Sequence, residues 1–201
     1  RRDGRSARRH RTSYADTTTL ARMQGFGSLY MINDTGTVVT GSQVTVSGIG
    51  GGHASLIKTL AAEGLKPDDI THVVLTHMHF DHADNLDLFP NACVVVQRDE
   101  LLASVDPVPS QRIFYWKSTI ANLIERKRPS GLRLVEGDLD LFPGIRLLRV
   151  GAHTEGMQVV VVTTAKGRVA LVSDLGDHYR YWYPADPRAN RRPQRSLSDA
   201  F

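Results

Sequence analysis

Ten residues, Thr76 to Asn85, read T-H-M-H-F-D-H-A-D-N and gather three histidines and two aspartates. They follow Ile70 to Leu75, a β-branched and apolar run that reads as a buried strand breaking into a loop. Imidazoles and carboxylates at the end of a buried strand are costly unless they have partners. The chain must therefore bring ligand-type groups together there. On extended or sharply turning backbone, side chains alternate with period two, so His77 and His79 point the same way and Met78 points away. Asp81 and His82 follow across a turn as a second pair, displaced from the first, which suits two adjacent metal centres. Imidazole and carboxylate without thiolate favour zinc or a similar borderline metal.

This H-x-H-x-D-H spacing resembles that of the metallo-β-lactamase fold hydrolases. The likeness continues through G-A-H-T-E-G-M-Q at Gly151 to Gln158 and V-S-D at Val172 to Asp174, and covers most of Ile49 to Pro184. Within that family the wording is most similar to lactone hydrolases of the N-acyl homoserine lactonase type. The resemblance implies an α/β chain folded as a four-layer αββα sandwich. It also implies a ligand set: His77, His79 and His153 for one metal, Asp81 and His82 for the other, and Asp174 bridging them. The reaction implied is opening of a lactone or related ester-like bond by a metal-bridging hydroxide, with Asp81 passing the proton to the leaving alkoxide. Tyr179 and Tyr183 are candidates to hydrogen-bond the substrate carbonyl.

Relatives that bind two irons for redox work carry a glutamate where this chain has His79, so hydrolysis is favoured. The family's bracing aspartate falls at Ser47, and Asp34-Thr35-Gly36 lies too early to replace it. No histidine follows His178, although the family completes its second metal with one about fifty residues past the bridging carboxylate. These departures lead us to expect one tightly held zinc, a weaker second, and a C-terminally incomplete sandwich. Three further readings stand beside lactone hydrolysis. They are hydrolysis of a β-lactam, thioester or phosphodiester, a metal-binding module with little or no catalysis, and nucleic-acid processing.

With 201 residues, the chain has material for one substantial core. We read it as a basic, mobile arm over 1–19, a domain over 20–184, and a polar, Pro/Arg-rich tail over 185–201. Six arginines fall in the first eleven residues and four in the last fourteen, while residues 12–183 carry 15 basic and 18 acidic side chains. Arginine-rich ends without interleaved aromatics read as solvated tails, which argues against a nucleic-acid partner. Cys93 is the one cysteine; it rules out an internal disulfide and reads as a small buried hydrophobe. No apolar run approaches the ~18 residues of a membrane span, and the cytoplasm is the default location.

Strands are expected over Gly27–Asn33, Thr37–Val46, Ile70–Leu75, Ala92–Gln97, Leu132–Val135, Ile145–Val150, Gln158–Thr163 and Arg168–Ser173. Gly50-Gly51-Gly52 lacks the residues of a phosphate loop and reads as entry to a helix over His53–Glu63. A second, short helix is expected over Asp99–Ser104. Ser110 to Arg128 has the apolar spacing of one amphipathic helix with surplus apolar surface. That surplus is assigned to core packing, a cap over the site, or a homodimer face.

Overall fold

A computed structural model describes residues 28–33, 38–42, 52–126 and 131–175. The expected arm and tail, Asp34 and Ser47 lie outside the described residues, as do Tyr179 and Tyr183. The first sheet contains β1 (Ser28–Asn33), β2 (Val38–Ser42), β3 (Ile70–Val74), β4 (Cys93–Gln97) and β5 (Leu132–Val135), in the order β2-β1-β3-β4-β5. β3, β4 and β5 run parallel, and β1 is antiparallel to β2 and to β3. The second sheet is an antiparallel meander of β6 (Leu139–Phe142), β7 (Ile145–Arg149), β8 (Gln158–Thr164) and β9 (Gly167–Leu171). The helices are α1 (Gly52–Ala62), α2 (Phe80–Ala83), α3 (Arg98–Val105) and α4 (Lys117–Glu125).

The apolar runs of β3 and β4 are explained by burial on both faces. Val73, Val94 and Val96 pack with Leu56 and Leu60 of α1 and Leu123 of α4, whereas Val74 and Val95 face Leu147, Val160 and Val162 of the second sheet. Alternating side chains thus serve two cores at once. The described residues make three layers, helices on one sheet and that sheet on the other. Strand residues alone form the second core, so the fourth, helical layer of the expected sandwich is not seen among the described residues.

Two buried glutamines fasten the sheets beside the site. Gln97 at the end of β4 donates to Gln158 Oε1 at 2.9 Å and to the Gly137 carbonyl at 2.8 Å. Gln158, opening β8, donates to the Leu75 carbonyl at 2.7 Å, and its N–H to the Thr76 carbonyl at 2.9 Å. The end of β3 is thereby fixed to the second sheet at the point where the histidine motif begins.

The structure differs from expectation in two elements. Ser110–Arg128 is not one helix: a 3-10 turn spans Arg112–Phe114, and α4 starts only at Lys117. Tyr115 and Trp116 are extended between them, which sends the Tyr115 side chain into the core while the Trp116 ring stacks on Phe80 at 4.6 Å. These anchors override the helical periodicity. Leu123 and Ile120 join the core, while Ile113, Trp116 and Ile124 are exposed. The other difference is β6, whose four residues are too few to show a period. It forms by pairing with β7 across the Pro143-Gly144 turn, where Gly144 takes a φ of +84° that favours glycine.

Candidate metal centre

The three histidines of the motif leave β3 through Thr76. His77 is fully buried, His79 ends the extended segment as the N-cap of α2, and Asp81 and His82 stand on that one-turn helix. From the second sheet, the loop between β7 and β8 brings His153, and Asp174 follows β9 in a 3-10 turn. Six residues read from the sequence as ligands therefore meet at one sheet edge. One ring nitrogen from each of His77, His79 and His153 lies within 4.8 Å of the others, and His77, His82 and Asp174 form a second such group. Asp174 Oδ2 is 3.2 Å from His82 Nε2, 3.6 Å from His153 Nε2 and 3.9 Å from His77 Nε2, while Asp81 Oδ2 is 3.2 Å from His82 Nε2.

The chemistry of these donors fits a divalent metal. His77 Nε2 and His79 Nε2 are buried and make no hydrogen bond, an arrangement that is costly for a polar atom unless a cation or proton satisfies it. His79 Nδ1 and His153 Nε2 face each other at 3.0 Å. Burial, with His82, His79 and His153 close by, holds the pKa of His77 well below the ordinary imidazole range. Burial and His153 lower that of His79 to about 3. Both rings are thus neutral with lone pairs available, the state a metal requires. His82 differs. Burial opposes its charge, but Asp174 and Asp81 outweigh burial and raise its pKa to about 9. The two carboxyls are held down in turn, because their bonds to His82 overcome their own burial.

Several residues that support the ligands were not identified from the sequence. Thr76 Oγ1 lies 3.2 Å from His77 Nδ1 and donates to Ser173 Oγ at 3.1 Å, and Ser173 Oγ is 3.3 Å from His82 Nδ1. These hydroxyls occupy the outer nitrogens of two rings and leave the inner ones for the site, as supporting groups around metal ligands do. Ser173 holds this place with a φ of +49°, a conformation that is strained for a residue with a side chain. Gln111 donates to the His153 carbonyl at 2.7 Å. Glu100 of α3 is fully buried and accepts four hydrogen bonds. Burial raises its carboxyl pKa, against the pull of those donors. The sequence signal for Glu100 was weak: an acidic residue early in a helix reads as a favourable surface charge.

Phe114 and Tyr115 pack on the His79 ring, with centroids 5.0 and 4.9 Å away. Phe80, between His79 and Asp81, carries the Trp116 stack, so the segment expected to cap the site contributes aromatic rings beside it.

The chain is similar to known proteins over most of its length. Over 144 residues the chain is 30% identical to the N-acyl homoserine lactonase of Bacillus thuringiensis, covering 71% of this chain and 53% of that protein. It spans about half the length of the lactonases it matches. Among solved structures, a probable metal-dependent hydrolase from Staphylococcus aureus superposes with a TM-score of 0.54 at 30% identity, covering 64% of this chain and 46% of that one. A quorum-quenching N-acyl homoserine lactone lactonase superposes at 0.57 with 22% identity, covering 85% and 82%, and shares the fold. The model of the metallo-beta-lactamase superfamily matches residues 26–186, and the chain belongs to that superfamily.

Proposed function

We propose that the chain is a zinc-dependent hydrolase that opens a lactone or a related ester-like bond. The observation that carries this reading is the convergence of His77, His79 and His153, three buried imidazoles, beside a mixed group of His77, His82 and Asp174 to which Asp81 is joined through His82. When bound at such a set, zinc supplies Lewis acidity and lowers the pKa of water toward ~7, so hydrolysis needs no serine or cysteine nucleophile. His77, His79 and His153 would hold one ion, and His82, Asp81 and Asp174 the second, with Asp174 close enough to His153 and His77 to serve both.

The chain's own residues supply the rest. Asp81, paired with His82 on the rim of the site, is placed to hold the proton that the leaving oxygen needs. Phe114, packed on the His79 ring, gives that side of the site an apolar surface suited to a substrate with a hydrocarbon part. Among the described residues no helix is long and apolar enough to cross a membrane, which is compatible with a small-molecule substrate met in water.

The test is turnover by zinc-loaded protein of an N-acyl homoserine lactone, a β-lactam, a thioester and a phosphodiester. The expected result is fastest turnover of the lactone, lost on chelation and restored by zinc. No lactone turnover, or turnover indifferent to chelation, would overturn the reading.

A further inference from the structure

We propose that Glu100 is a positioning residue for the metal centre, whose two carboxylate oxygens tie the loop bearing His77 and His79 to the loop bearing His153. This rests on reading that centre as a metal site.

Each oxygen holds one loop. Oε1 accepts the Met78 N–H at 2.7 Å and the Tyr115 hydroxyl at 3.1 Å; Oε2 accepts the Thr154 hydroxyl at 2.6 Å and the Gly156 N–H at 3.2 Å. Met78 sits between the first two ligands, and Thr154 directly follows the third. Fixing the Met78 amide sets the turn that sends both flanking imidazoles to the opposite side, while fixing Thr154 and Gly156 sets the height of His153 above them. Tyr115 extends the same network to the edge of the His79 ring.

Glu100 is the third residue of α3, where a glutamate commonly turns back to cap its own helix. Here it turns inward to two other segments. Contact with the second loop is so close that a Cβ on Gly156 would stand 2.1 Å from the Glu100 backbone nitrogen. That position requires glycine.

A carboxylate accepts four hydrogen bonds without donating any. A glutamine in its place must aim its NH₂ group at one of the two backbone N–H donors. Because the Gly156 bond is the longer, the NH₂ group goes to that side, and the His153 loop loosens. Buried donors left without an acceptor are costly, so the loops move instead of remaining unpaired.

The test measures the zinc dissociation constant by competition with a chromophoric chelator, alongside the thermal midpoint of each metal-free variant. Glu100→Gln is expected to weaken zinc binding by about 10- to 100-fold, and Glu100→Asp, which keeps the charge but withdraws it by one methylene, by less. Leu60→Ala, a cavity in the core beneath α1, should lower the midpoint but leave zinc affinity within about twofold. Thr154→Val and Tyr115→Phe each remove one hydroxyl donor and should weaken zinc binding by about 2- to 10-fold. They decide the matter if Glu100→Gln does not fold.

Zinc affinity within about twofold of wild type in Glu100→Gln, or in both hydroxyl variants, would overturn the inference while the metal reading stands. A wild-type protein that takes up no zinc would overturn the metal reading, and this inference with it.

Discussion

The two ligand groups share His77 and differ in nearly everything else. His77, His79 and His153 offer only nitrogen and are buried, whereas the second group adds Asp174, whose side chain is 36% exposed, and has Asp81, at 28%, paired to its His82. Without a metal the groups settle their charge in opposite ways. Burial keeps His77 and His79 neutral, whereas a protonated His82 pairs with two carboxylates. The inner nitrogens of His77 and His79 thus lack a partner without a cation, whereas His82 is answered by two carboxylates. We therefore assign the tighter metal to the buried group, and the proton chemistry to the exposed one.

The largest effect that bears on this contrast should come from the double change His77→Ala with His79→Ala. It removes two of three buried ligands, so both bound zinc and hydrolysis should fall below detection in metal analysis and a lactone assay. Retained zinc would end the distinction between the groups. Asp81→Asn comes next. The amide cannot carry the leaving group's proton, so kcat should fall by about 10²- to 10⁴-fold, while zinc in the three-histidine group stays within about threefold of wild type. Equal loss of both would place Asp81 in the tighter site.

The contrast also predicts how the metal-free protein responds to pH. His79 has a folded pKa of about 3, below its unfolded value of ~6.5. Between these values the unfolded chain takes up the proton and the folded one does not, so stability falls as pH drops below ~6.5. His82 is raised to about 9, so its contribution is complete below ~6.5 and lost as pH rises toward 9. Thermal midpoints should peak near pH ~6.5, and His79→Gln should make the acid side shallower, leaving the share that belongs to His77, Asp81 and Asp174, without changing the alkaline side. A profile unchanged by that substitution would contradict a contribution of His79 to the acid limb.

The smallest effect is expected from Ser173→Gly. It relieves the positive φ but removes the hydroxyl between Thr76 and His82. Stability should change by less than about 1 kcal/mol, and zinc affinity at the mixed group should drop by about 10-fold without change at the three-histidine group. Calorimetric zinc titration would resolve the two steps.

How much was legible in the sequence follows from how local each feature is. The motif from His77 to His82 is compressed into six residues, and its meaning lies in spacing along one strand and turn. His153 and Asp174 were found only through the resemblance, because nothing in their local spacing announces that β7 and β9 end at the same sheet edge. Glu100 and the Thr76–Ser173 pair were missed for the same reason. The partners of Glu100 lie 15 to 56 residues away and Thr76 and Ser173 are 97 apart, where no periodicity reaches. The buried strands were legible because continuous apolar runs such as that of β4 need burial on both faces. The helix over 110–128 was overextended because apolar spacing does not distinguish a helical face from aromatic residues drawn individually to Glu100 and Phe80.

The most direct test of the central claim is zinc retained per chain after dialysis against a mild chelator, compared between His153→Ala and His82→Ala. His153 belongs to the buried group alone and His82 to the mixed group alone. Wild type and His82→Ala should each keep one equivalent, and His153→Ala should keep less than about a tenth. A full equivalent in His153→Ala, lost instead in His82→Ala, would show that the mixed group holds the tighter metal.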